Sequence, residues 1–89
     1  MHLYTILLDY AGGSYVSQSE AMDERAALGA WLSKLRSDRI AEAASEEVVA
    51  AFEADIDSPV PLEGLTGAWC ATAIGSQGLA VANIVRTTA

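Results

Sequence analysis

The chain has 89 residues, 52% of them hydrophobic, and its twelve acidic against five basic side chains leave a net charge of −7. That length allows one domain, which buries only about 60–65% of the surface its unfolded chain exposes. The charge, with a pI near 4.3, repels phosphate backbones and anionic headgroups, so nucleic acid and membrane surfaces are excluded as expected partners.

Leu3 to Tyr10 reads as a strand with one wholly apolar face, Tyr4, Ile6, Leu8 and Tyr10, and with Leu3, Thr5, Leu7 and Asp9 on the other. Largely apolar on both faces, it belongs inside a sheet. Ala11 to Ser14 follows as a hairpin loop, because its two glycines reach the positive φ that tight turns need. Tyr15 to Glu20 returns as a second strand, and the polar run Ser17, Gln18, Ser19 and Glu20 suits a sheet edge.

Asp23 is the N-cap signal of a helix to about Arg36, in which Leu28, Trp31, Leu32 and Leu35 form one apolar stripe with Trp31 as core anchor. Ser37 to Ala54 is helical again, with Ile40, Ala44, Val48, Ala51 and Phe52 on its apolar side. Ser45 before two glutamates is a second start signal. The segment therefore reads either as one bent helix or as a short helix from about Asp38 and a longer one from Glu46 to about Ala54. Asp55 to Gly67, with Pro59, Pro61, Gly64 and Gly67, reads as an irregular connection.

From Gly64 to Ala89 the one charged side chain is Arg86, whereas eleven of the twelve carboxylates lie between Glu20 and Glu63. An uncharged C-terminal quarter has to be hidden in a sheet core, a partner interface or both. Ala68 to Ile74 and Leu79 to Thr87 form a hairpin around the Gly75 to Gly78 turn. With Ile74 opposite Leu79, one face carries Thr72 with Val81 and Cys70 with Asn83. The other carries Ala73 with Ala80, Ala71 with Ala82 and Trp69 with Ile84. Four alanines make a shallow trough for a helix, which leaves Ile74, Leu79, Val81 and Val85 on an uncovered face as the expected oligomer interface.

Catalytic machinery is sparse. His2 is the sole imidazole and stands next to the terminal Met1, where fraying is common; Cys70 is the sole thiol and reads as a small core residue. One His and one Cys supply neither a structural zinc set nor a Cys-His nucleophile pair, so no catalytic residue, metal site or cofactor is expected. Asp55, Asp57 and Glu63 begin like a calcium loop, but Pro59, Val60 and Thr66 stand where a ligand, the turn glycine and a closing Glu belong. None of the Gly-containing turns has the strand-to-helix context of a phosphate loop. A ligand pocket near Tyr4, Tyr15, Trp31 and Trp69, at a dimer interface, is the best alternative to a purely interacting protein. The lone cysteine and the absence of a signal-peptide pattern point to a reducing, cytoplasmic setting. Seventeen alanines and four Arg against one Lys suggest a bacterial composition.

Tyr4 to Leu35, a strand, a Gly-containing hairpin, a second strand and an acidic start to an Ala-rich helix, resembles half of the HicB-like antitoxin family over about a third of the chain. Ser19, Glu20, Ala21 and Met22 stand where that family has a Pro-Asp-Leu-Pro-Gly-Cys type of segment. The resemblance implies an acidic protein that binds and inhibits a basic protein partner. Taken together, the patterns predict a two-layer α+β domain of ββααββ order, with a four-stranded, mainly antiparallel sheet and two helices on one face. They favour a small, acidic, non-catalytic, homodimeric interaction or accessory module.

Overall fold

Alternation sets the first strand, β1 (His2–Tyr10), and a two-residue turn sends the chain back as β2 (Gly13–Ala21). Ala11 and Gly12 carry φ of 51° and 80°, both positive, as the turn that matches the twist of paired strands requires. The structure, a computed structural model, describes residues 1–54 and 59–87. Two further strands, β4 (Ala68–Gly75) and β5 (Gly78–Arg86), form the C-terminal hairpin in the expected register, Ile74 opposite Leu79 and Trp69 opposite Ile84.

With a short strand at Val60–Pro61 counted as β3, the sheet is wholly antiparallel and has five strands, in the order β2-β1-β5-β4-β3. This corrects the four-stranded, ββααββ expectation. The added strand is β3 (Val60–Pro61), inside the segment read as an irregular connection. Pro61 fixes its own φ and pushes Val60 toward extended backbone, while its missing N–H suits a sheet margin. The Leu62 N–H then donates to the Ala68 carbonyl at 3.0 Å. β2 is an edge and β1 internal, as its two apolar faces imply; the central place falls to β5, which pairs with both β1 and β4.

Helix α1 (Glu24–Asp38) starts where Asp23 accepts the Ala26 N–H at 2.8 Å, and runs two residues past Arg36. It buries Ala27, Trp31 and Leu35, with Leu28 and Leu32 at the margin, so the apolar stripe is turned slightly toward Ala27. Arg39, in left-handed backbone, ends it. A single 3-10 turn (Glu42–Ala44) leads into α2 (Ser45–Ala54). The chain therefore breaks into two α-helices rather than one bent rod, with no short helix from Asp38 between them. Ser45 faces inward, its hydroxyl accepting the Ala41 N–H at 3.0 Å, which pins the bend.

Both helices pack on the sheet face that carries Tyr4, Ile6, Leu8, Tyr10, Ala71, Ala73, Ala80, Ala82 and Ile84, all buried. α1 lies against β2 and α2 against β4. All four alanines of the trough are buried beneath the helical layer, with α2 lying against β4, which carries Ala71 and Ala73. Two tyrosines fill gaps left by glycine: a Cβ at Gly75 would collide with the Tyr10 ring, and one at Gly13 with the Tyr15 ring.

Candidate functional site: the open face of the sheet

Residues that alternate with the buried set point away from both helices. In register across the sheet, Val16, Leu7, Asn83, Cys70 and Val60 form the middle row. Thr5, Val85 and Ala68 lie on one side of it, and Asp9, Val81 and Thr72 on the other. Ile74 and Leu79 pair at the hairpin tip. Ile74 is 73% exposed, Val16 63% and Leu79 55%, with Leu7 and Val85 also exposed and Val81 half-buried. The expected interface residues Ile74, Leu79, Val81 and Val85 thus share one solvent-facing surface. Leu7, Val16 and Val60 extend it beyond the C-terminal hairpin; for Leu7 and Val16 the signal was present in the alternation of β1 and β2.

The face is nearly uncharged. Among the open-face residues of the described strands only Asp9 and Glu20 are ionisable acids, and Asp9 accepts a hydrogen bond from the Ser14 hydroxyl. Gln18 Nε2 donates to Thr5 Oγ1 at 3.1 Å, and the Thr5 and Thr87 hydroxyls bond each other. Cys70 lies half-buried on this surface next to Asn83, not in the core as its lone, strand-like setting suggested. Parity decides this, since Trp69 and Ala71 already occupy the covered side.

Each sheet edge is occupied in part. With the hairpin closed by Tyr10 and Gly13, Gln18 turns its main-chain groups outward, and Lys34 Nζ donates to its carbonyl at 2.7 Å. The far edge is capped in part by the two-residue, proline-bearing β3.

The helical layer holds two further features. Tyr10 joins three elements: its hydroxyl accepts the Gln77 N–H at 3.0 Å and donates to a Glu47 carboxylate oxygen at 2.8 Å, on which Gln77 Nε2 also converges at 3.1 Å. Hydrogen bonds from Tyr10, Gln77 and Ser76 hold the Glu47 carboxyl below its ordinary value. At the other end, a surface cleft of about 460 Å³ is lined by Asp23, Glu24, Arg25, Pro59, Pro61 and Trp69. Tyr4 stacks at a tilt beside Trp69, ring centroids 6.0 Å apart. Burial raises the Tyr4 phenol, with Glu24 adding to the effect, Arg86 opposing it and Asp23 adding further.

Of the four aromatics nominated for a pocket, only Trp69 lines this cleft. Tyr4 is buried beside it, Trp31 is 1% exposed and meets Phe52 edge-on at 5.4 Å, and Tyr15 packs at the core margin. His2 is not frayed; as the first residue of β1 it pairs with Ala21 of β2 and sits edge-on to Tyr4. Its Nδ1 and the Ser17 and Ser19 hydroxyls are enclosed without a hydrogen-bond partner among the described residues. No group of three His, Cys, Asp or Glu among those residues is placed to hold a metal ion; Asp55 and Asp57 lie outside them, and Glu63 is exposed. No helix among them is long and apolar enough to cross a membrane. Comparisons with family models, curated proteins and solved structures give no match.

Proposed function

We propose that the protein is a non-catalytic interaction module that works as a homodimer closed through the open face of its sheet. The observation that carries this reading is an apolar, almost uncharged surface on a chain of net charge −7, left bare because both helices pack on the other side. Four long strands about 4.8 Å apart, each about 28 Å long, give a face on the order of 550 Å², and side-chain relief adds to it. That approaches the roughly 600–800 Å² per partner at which specific complexes begin. A basic partner would seek carboxylates, which this face mostly lacks, whereas a second copy supplies a matching neutral surface without bringing the acidic helices together. The lysine on the β2 edge and the short, proline-bearing β3 on the other favour face-to-face closure over a continuous intermolecular sheet.

Light scattering coupled to size exclusion tests this directly. The expected result is a dimer at micromolar concentration, converted by Val81→Lys to a folded monomer with an unchanged circular dichroism spectrum. A wild-type chain that elutes as a compact monomer would overturn the proposal.

Two alternatives have their own support. The cleft at Trp69 favours a small-ligand binder, and a thermal-shift screen against metabolites detects it, since a ligand at a hundred times its Kd adds about 2.7 kcal/mol. The carboxylates of the helical layer favour an antitoxin-like inhibitor of a basic protein. Salt-sensitive capture of one cationic partner would support that reading.

A further inference from the structure

Asn83 stands at the crossing point of the open face. It belongs to β5, the middle strand of five, with Leu7 beside it on β1 and Cys70 beside it on β4. Val81 and Val85 flank it along its own strand. Its carboxamide makes no side-chain hydrogen bond among the described residues, whereas Thr5, Gln18 and Thr87 on the same face are bonded to one another. An amide at the centre of an apolar ring is tolerated in a dry interface only if the other side brings a matching donor and acceptor. In a two-fold assembly a residue on the axis meets its own copy, and a carboxamide is complementary to itself, one donor and one acceptor from each side.

We infer that, in the homodimer proposed above and resting on that reading, the two-fold axis passes at Asn83, so that the Asn83 amides of the two copies pair across the interface. The central amide then fixes the register of two otherwise slippery apolar faces, as a single buried asparagine does in other symmetric interfaces.

Asn83→Asp places two carboxylates face to face on the axis. The dimer dissociation constant, measured by analytical ultracentrifugation, is expected to rise at least a hundredfold at neutral pH and to recover below about pH 4, where the pair protonates. Asn83→Cys, in a Cys70→Ser background, is expected to form an interchain disulfide in a glutathione redox buffer, because that bond requires Cβ atoms roughly 3.5–4.5 Å apart. Asn83 lies half-buried on the open face, outside the covered core, so both variants should keep the wild-type fold by circular dichroism. A wild-type dimer that persists when Asn83→Asp is introduced and fails to cross-link through Asn83→Cys overturns the axis placement while leaving the homodimer standing. A monomeric wild type overturns the homodimer itself.

Discussion

The same strands build two faces of opposite fate. On the covered side, Tyr4, Ile6, Leu8 and Tyr10 of β1 meet the alanines of β4 and β5 and vanish beneath the helices. One residue out of phase, Leu3, Leu7, Val16, Ile74, Leu79, Val81 and Val85 stay on the outside. Hydrophobicity does not separate the two sets; position in the strand alternation does. Within the C-terminal hairpin the two sides differ in bulk: Ala71, Ala73, Ala80 and Ala82 make a low floor beneath the helical layer, whereas Ile74, Leu79, Val81 and Val85 make the other side bulkier. Removing one such side chain from water is worth about 1.5–3 kcal/mol, which is the driving force the proposed homodimer would draw on.

The largest effect that sharpens the contrast comes from the covered side. Trp31→Ala deletes a fully buried ring and its edge-on contact with Phe52, and is expected to cost about 3–5 kcal/mol. Against a total near 5–15 kcal/mol for a small domain, the transition midpoint in urea should fall steeply. Ile74→Ala, measured at a concentration low enough to keep the chain monomeric, should change stability by no more than about 0.5 kcal/mol. Equal losses in the two variants would erase the distinction between the faces.

A smaller effect concerns how the helical layer is tied to the sheet. Glu47 of α2 draws together the Tyr10 hydroxyl and the Ser76–Gln77 turn. Its carboxyl titrates below the ordinary glutamate value in the folded chain and at that value when unfolded. The stability this gives is present in full above about pH 4.3 and is lost as pH falls through the lowered folded value. Glu47→Gln is expected to lower the unfolding midpoint at pH 7 and to flatten its fall on acidification, the two proteins converging in strong acid. A wild-type midpoint that falls no faster than the variant's below pH 4.5 would remove Glu47 as the tie.

Much of this contrast was legible in the chain, and for local reasons. The register of the C-terminal hairpin follows from parity around one turn, and parity alone turns Ala71, Ala73, Ala80 and Ala82 to one face and Ile74, Leu79, Val81 and Val85 to the other. The cap at Asp23 and the stripe through Trp31 are likewise short-range signals. What escaped depends on chain segments distant in sequence or too short to have a period. β3 has two residues, fewer than one full alternation, and exists only because β4 offers it an edge. Cys70 is a different case: its local parity with Asn83 already pointed to the open face, against the core reading drawn from its apolar strand, and parity is what holds. The cleft at Trp69 joins the start of α1 to Pro59 and Pro61, and the Tyr10 to Glu47 bond spans thirty-seven positions. Neither leaves a trace in any window of sequence.

The smallest effect is expected where two helices touch across water. Arg36, in the last turn of α1, donates to Glu53 near the end of α2 at 3.0 Å, with the two side chains 57% and 53% exposed. Solvent screens such a pair, and ordering two long side chains offsets most of the attraction, so its coupling should be about 0.5 kcal/mol or less and fade with added salt. A double-mutant cycle of Arg36→Ala and Glu53→Ala measures that coupling apart from each residue's other contacts. Arg36 also faces the carbonyl end of its own helix, so its single substitution should cost slightly more than that of Glu53. A coupling above about 1.5 kcal/mol would mean that the helices are clasped to each other more firmly than an exposed pair can achieve. The covered face of the sheet would then share with that clasp the work of holding the upper layer in place.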